Sequence, residues 1–193
     1  MTLRVLSTLL GVLIFPSFAA EQSETVKLNG GLEATILQVG RSKDHRHVTV
    51  TLRIANKGTS TAYLLLVDRP VATDNTGAAF DGKENVAGIA DCNNGGNPNA
   101  QCLGIPQKNN FTVPLQSFTT IEPNSDPNAG ITVSFRLGQI HDSDGPLISF
   151  SAHLYLRLVS DSLRDDTLSD SEKYRQFRMM TLSFPPRRVT DAQ

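Results

Sequence analysis

Alternation of apolar and polar residues with a period of two is the feature that most limits what this chain can fold into. Between residues 148 and 158 every even-numbered residue is apolar, and the residues between them are polar or amphipathic. Successive side chains of a β-strand point to opposite faces of a sheet. The segment therefore predicts a long antiparallel strand with one buried face. The inward set is Ile148, Phe150, Ala152, Leu154, Leu156 and Leu158.

Several other segments predict further strands. Residues 47–54 and 131–137 repeat the alternation. In residues 32–39 the phase changes between Ile36 and Leu37, which predicts a β-bulge. The remaining predicted strands are the apolar run 62–67, which we expect to be central, and the segments 117–121 and 174–184.

About seven strands with turn residues between them favour a two-layer antiparallel β-sandwich. A closed β-barrel is the alternative, because alternation alone does not distinguish the two. No long amphipathic helix is predicted. Ser169 and Glu172 have the spacing of a capping box, which favours one short helical turn.

The order of strands and turns resembles a known class of module. Asn56-Lys-Gly58 closes one predicted strand, Asp74-Asn-Thr-Gly77 follows an apolar strand, and Ile121-Glu-Pro123 precedes the strand within 129–135. This pattern resembles the telokin-like, immunoglobulin-fold modules of exported bacterial proteins of unknown function. The resemblance covers residues 32–184 and implies an immunoglobulin-like sandwich, an extracytoplasmic setting and no catalytic residues. The chain departs from the pattern in its long insertion, 81–114, and in having no Trp.

The N-terminus has the pattern of a secretory signal peptide. A positive charge precedes the apolar run 5–15, and small residues follow at Ser17 and Ala19. An uncleaved anchor is the alternative, but the run is short for a membrane span. We therefore predict a cleaved signal over 1–20, a single domain over 21–193 with no transmembrane segment, and a periplasmic or secreted location.

Two cysteines, Cys92 and Cys102, lie in a polar part of the insertion. Paired thiols in an exported protein usually form a disulfide. Their spacing is wider than that of zinc knuckles, and the short CxxC redox motif is absent. We predict a structural disulfide that pins the insertion.

The insertion is one candidate binding surface. Loops longer than about fifteen residues in compact domains are often functional, and this one offers polar side chains suited to adaptable contacts. The alternative is that the bridge only protects the loop from proteases. The candidate residues are Asn93, Asn94, Asn97 and Asn99.

The outward side of the strand at 148–158 is the other candidate surface. The alternation places His153, Tyr155 and Arg157 there together, and Tyr and Arg are enriched in interaction hot spots. The alternative is that a second layer or the insertion covers this face.

Catalytic and metal motifs are weakly represented. His45 and His47 share a strand face and could chelate a metal, but a solvated surface explains them fully, and two ligands do not make a metal site. Asp142-Ser-Asp-Gly145 resembles the start of a calcium loop, but residues 146–149 break the ligand spacing of such a loop, and a hairpin turn is the simpler explanation. Nucleophile motifs such as Gly-x-Ser-x-Gly and phosphate-binding glycine loops are absent.

We therefore predict a non-enzymatic exported module with no cofactor and no metal. Its expected partner is an envelope or extracellular protein, with an inhibitor or immunity-type role included, or a glycan. A formal net charge of −1, from 18 basic and 19 acidic residues, argues against nucleic acid. The alternative is an envelope metal-binding protein or hydrolase with a site assembled from scattered His and Asp residues.

Overall fold

A computed structural model describes residues 24–67, 69–91, 118–126, 128–140, 145–159 and 167–191. Within those ranges no helix has the length and apolar character needed to cross a membrane. The signal peptide predicted over 1–20 lies outside the described residues, so it stays a prediction. The described part contains eleven strands, a 3-10 turn at Asn29–Gly31 and the short helix α1 at Asp170–Arg175. The strands are β1 Thr25–Lys27, β2 Leu32–Arg41, β3 His47–Asn56, β4 Thr61–Leu66, β5 Val71–Asp74, β6 Ala79–Ala87, β7 Thr119–Ile121, β8 Ile131–Gln139, β9 Leu147–Val159, β10 Arg178–Arg188 and β11 Thr190–Asp191.

The protein is all-β, and its strands pair almost entirely in antiparallel fashion. One arm of the sheet runs β1-β2-β3-β8-β6, and the other runs β10-β9-β4-β7. The short strand β5 joins the arms because it pairs with both β6 and β9. The pairing of β11 with β2 is parallel. The single hydrogen-bonded network therefore has two arms that meet at β5.

Both arms contribute side chains to one apolar core. Phe135 of β8 and Phe150 of β9 lie with ring centroids 5.1 Å apart, which brings the two arms into contact. Val50, Leu52 and Leu154 in the same cluster are fully buried. Burying a side chain of this size contributes about 2 kcal/mol. The predicted strands over 47–54, 131–137 and 148–158 are confirmed, and their apolar residues face this core, apart from the exposed Leu158. Ile131 is half-buried and packs against the same core.

The predicted β-bulge in β2 is also confirmed. The register between β2 and β3 shifts between Ile36 and Gln38. Leu37 occupies the extra position and is 48% exposed, while Ile36 and Val39 are buried. The bulge therefore allows residues on both sides of Leu37 to keep their contacts with the core.

Two predicted boundaries are wrong. The insertion predicted at 81–114 begins inside a strand, because β6 continues to Ala87. The register of β6 against β8 shifts twice, between Phe80 and Gly82 and again between Lys83 and Asn85, so no period of two is visible there. The strand predicted over 174–184 begins at Arg178, because the residues before it end α1.

The helix α1 begins with the predicted capping box. Ser169 donates from its amide to Glu172 Oε2 at 2.8 Å and from its hydroxyl to the same atom at 2.5 Å. The amide of Glu172 donates back to the Ser169 carbonyl at 3.0 Å. These bonds satisfy groups that a helix start would otherwise leave unpaired. They also hold the pKa of Glu172 below its ordinary value of 4.5, mainly through the Ser169 hydroxyl.

This lowered pKa predicts the pH dependence of α1. A group with a lowered pKa in the folded state stabilises that state above its unfolded pKa, and the contribution is lost as the pH falls through the folded value. We expect the amide signals of 170–175 to lose protection as the pH falls below 4.5. An NMR titration of the Glu172 carboxyl carbon measures the pKa directly. In Ser169→Ala the pKa should rise toward its ordinary value, and an unchanged pKa would contradict the prediction.

Candidate functional site

The outward face of β9 is largely covered. Tyr155 is 7% exposed and Arg157 is 1% exposed, while His153 is half-buried. The expectation of an exposed patch formed by these three residues is therefore wrong for Tyr155 and Arg157, and the alternative of a covered face holds. Alternation shows that a strand has two faces, but it does not show what packs against the second one.

A small second cluster covers this face, and we call it the outer cluster. Its buried members are Leu65, Phe118, Tyr155 and Phe177. The rings of Phe118 and Phe177 stack with centroids 4.6 Å apart. Phe118 lies just before β7 and Phe177 just before β10, so segments that enter the sheet supply the cover. No periodic signal marks either residue, and the sequence analysis did not assign them to a site.

Arg157 fastens the end of α1 to β9. Its Nε donates to Gln176 Oε1 at 3.0 Å, and its guanidinium carbon lies 5.8 Å from the centroid of the Tyr63 ring. A buried guanidinium needs such partners to offset its lost hydration. The described contacts therefore give Arg157 a structural role beside the outer cluster.

The ends of the segment 92–117 meet at the outer cluster. The Ala90 amide donates to Thr119 Oγ1 at 2.6 Å, and the Leu66 amide donates to the Ala90 carbonyl at 2.8 Å. Leu66 also forms a parallel bridge with Asp91. Both ends of the segment are therefore held against β4 and against each other. The predicted disulfide and the predicted binding residues lie outside the described residues and stay predictions: Cys92, Asn93, Asn94, Asn97, Asn99 and Cys102.

The two candidate metal ligands, His45 and His47, lie at the β2–β3 turn, which is held by polar contacts around Asp44. Asp44 Oδ1 accepts hydrogen bonds from the Ser42 hydroxyl at 2.5 Å and the Arg46 amide at 3.2 Å, and it lies 3.8 Å from His47 Nδ1. The Ser42 hydroxyl is the main reason that the pKa of Asp44 lies below its ordinary value. His45 is exposed and has a φ of 59°.

Within the described ranges, no three His, Cys, Asp or Glu side chains come together as a metal site. Asp142 and Asp144, which the sequence analysis also considered, lie outside those ranges. Gly145 lies inside the described ranges, where its backbone bonds to Asp74 and Arg41.

Gly145 is held between two buried charged residues that sequence reasoning did not pair. Asp74 Oδ1 accepts bonds from the Thr76 amide at 2.9 Å, the Thr76 hydroxyl at 2.7 Å and the Ala78 amide at 3.0 Å. Its Oδ2 accepts from the Gly145 amide at 3.2 Å, and Arg41 Nη2 donates to the Gly145 carbonyl at 2.8 Å. The Asp-x-x-Gly spacing predicted the turn, but no signal indicated the long-range partner Arg41. The arrangement fixes the end of the β8–β9 connection to the β5–β6 turn.

A small cleft lies beside the bulge of β2. Its volume is about 60 Å³, and its walls include Leu37, Gln38, Arg187 and Thr190. Arg187 Nε lies 3.7 Å from Glu24 Oε2. A space of this size holds about one or two water molecules, so it is a notch between β2 and the end of β10 and not a substrate pocket.

Comparisons with known proteins identify no family for this chain. No family model matches the sequence, and no curated protein matches it. Among solved structures, the fold is similar to the ASH/PapD-like domain of human CEP192 (PapD-like domain 7), with 11% sequence identity and a TM-score of 0.32 over 100% of both chains. A similarity at this level says nothing about what this chain binds.

Proposed function

We propose that this chain is an exported, non-enzymatic binding module built on an immunoglobulin-like β-sandwich. The two arms of the sheet share one core through the Phe135–Phe150 contact, which is the packing expected of two sandwiched layers. The proposed partner is an envelope or extracellular protein, or a glycan. An inhibitor or immunity-type role falls within this proposal.

The observation that carries the proposal is the anchoring of the segment 92–117. The hydrogen bond of 2.6 Å between Ala90 and Thr119 Oγ1 joins its two ends, and the stacked rings of Phe118 and Phe177 fix the returning end. A scaffold that fixes both ends of a long connection lowers the entropy lost when that connection binds a partner. We propose that recognition uses this segment, including Asn93, Asn94, Asn97 and Asn99, with a Cys92–Cys102 bridge restricting it further.

Replacing the segment tests the proposal. Because its ends lie within hydrogen-bond distance of each other, a short Gly-Ser linker can join Asp91 to Phe118 without straining the sheet. We expect the natural chain to be captured by a partner in cross-linking experiments with the envelope fraction of its source cells, or by a sugar on a glycan array. The linker variant should remain folded by circular dichroism and lose that capture.

A matched control is a linker replacement in the β7–β8 connection at residues 124–129, which lies outside the outer cluster. This variant should keep its partner. Equal capture by both variants would show that recognition does not use 92–117. Turnover of a substrate by the purified chain would show that the protein is an enzyme and would contradict the proposal of a non-enzymatic binding module.

A further inference from the structure

The strand β10 forms an open edge of the sheet. It pairs with β9 from Arg178 to Arg188 and, within the part of the chain that the structure describes, with no other strand. Along 178–184 buried residues alternate with exposed ones, and Met179 is 61% exposed. An edge strand directs about half of its backbone N–H and C=O groups away from its single neighbour. The open stretch is therefore a template for one added strand of about seven residues.

Both ends of this edge are defined. The helix α1 ends at Arg175, three residues before the strand begins. At the other end, the exposed Pro185 and Pro186 interrupt the pairing register with β9, and proline has no amide hydrogen to donate. Six residue steps separate 178 from 184, so the open stretch spans about 20 Å.

Positive charge is concentrated at the two ends of the edge. The sequence between Glu172 and Asp191 contains five basic residues and no acidic residue, although the whole chain has a net charge of −1. Glu24 lies near one of the five, Arg187. Of the other four, Arg175, Arg178 and Arg188 are exposed and Lys173 is half-buried. The five are Lys173, Arg175, Arg178, Arg187 and Arg188.

We infer that the open edge of β10 binds an acidic segment of another protein in extended conformation. Backbone hydrogen bonds along 178–184 would add the segment as a further strand, and carboxylates at its two ends would meet the basic residues at the ends of the edge. The same charges disfavour a second copy of this chain, because two β10 edges brought together would place like charges near each other.

The residues of this edge are not those of the segment 92–117, so the inference does not depend on the proposed function. The linker variant that lacks 92–117 should bind an acidic peptide as well as the natural chain does. Failure of one binding test therefore leaves the other informative.

The probe is a capped nine-residue peptide with two Glu at each end and alternating Thr and Val between them. We expect it to bind the full chain in calorimetry and to shift the amide NMR signals of 178–184. Two comparison peptides separate the causes. One carries Gln in place of every Glu, and the other carries N-methyl groups on alternate residues, which removes the donors needed for strand pairing. Both should bind at least about tenfold more weakly.

Charge reversal on the protein gives the matched variants. Arg175→Glu with Arg188→Glu reverses one exposed charge at each end of the edge, and Lys43→Glu with Arg46→Glu makes the same change of charge at the exposed β2–β3 turn. We expect the first double variant to bind the peptide about tenfold more weakly and the second to bind it nearly as well as the natural chain. Circular dichroism checks that both remain folded.

Three results would overturn the inference. The first is that no peptide binds, which would mean that the charged residues and prolines keep this edge from pairing with any strand. Equal binding of the N-methylated peptide would mean attraction by charge without strand addition. Self-association in sedimentation, lost in the first double variant and kept in the second, would assign the edge to a second copy of this chain.

Discussion

Gly88→Ala is expected to lower the free energy of unfolding by about 3 to 4 kcal/mol. Gly88 follows β6 directly and has a φ of +81°, in the left-handed region that side chains other than glycine rarely adopt. A Cβ atom there would lie 1.9 Å from the carbonyl oxygen of Thr132 in β8. That neighbour is backbone, so β6 has to move away from β8 to make room. Urea denaturation followed by circular dichroism measures the loss, which is large against a typical stability of about 5 to 15 kcal/mol.

Gly77→Ala is the matched control for this substitution. Gly77 also has a positive φ, +91°, but a Cβ atom there would meet nothing within 4 Å. Its replacement should therefore cost only the backbone strain, about 1 kcal/mol. Similar losses for the two variants would show that strain alone matters, and that the close approach of β6 to β8 at Gly88 contributes little.

The main strands were predictable because one face of each packs against a single apolar core. Val48, Val50, Leu52 and Ile54 are all buried, as a period of two requires. The bulge at Leu37 was predictable for the same reason, since a phase change leaves one apolar residue on the wrong face. Capping and turn residues also act locally, so the Ser169–Glu172 box could be found without knowing the tertiary structure.

The face that carries the candidate site was harder to predict because its cover comes from distant parts of the chain. Tyr155 looks outward from sequence alone, and it is buried because Phe118 and Phe177 pack against it. The clamp on Gly145 depends on Arg41, which is 104 positions away in sequence. Such contacts depend on the arrangement of whole elements, and a local pattern carries no information about them.

The edge of β10 could not be predicted from sequence either, because it too depends on the pairing of distant strands. Its five basic residues are visible in the sequence, but their meaning depends on which strands β10 pairs with. On a central strand the same charges would mark only the ends of a buried element. At an open edge they flank unpaired backbone groups, and this placement turns a charge pattern into a candidate binding surface.

A buried asparagine joins three parts of the chain at the end of β3. Asn56 is 1% exposed, and its Nδ2 donates to the carbonyl oxygens of Ser60 at 2.8 Å and Ile121 at 2.9 Å. Its Oδ1 accepts from the Gly58 amide at 3.0 Å. One side chain therefore closes the β3–β4 turn and attaches the end of β7 to it. The sequence predicted the turn from Asn56-Lys-Gly58, but it gave no sign of the bond to Ile121.

Asn56→Ala is expected to lower the free energy of unfolding by about 3 kcal/mol, because it leaves two carbonyl groups and one amide without this partner. Asn56→Asp keeps the acceptor for Gly58 but places a second acceptor against the Ser60 and Ile121 carbonyls. Under acid conditions the carboxyl is protonated and can donate one bond. We therefore expect Asn56→Asp to destabilise the protein more at neutral pH than at acid pH. Urea denaturation of both variants at two pH values measures these differences.

Thr59→Ala is the control, because Thr59 is exposed in the same turn and its replacement should change stability by less than about 0.5 kcal/mol. Equal losses for Asn56→Ala and Thr59→Ala would show that the bonds of Asn56 do not hold β7 to the β3–β4 turn.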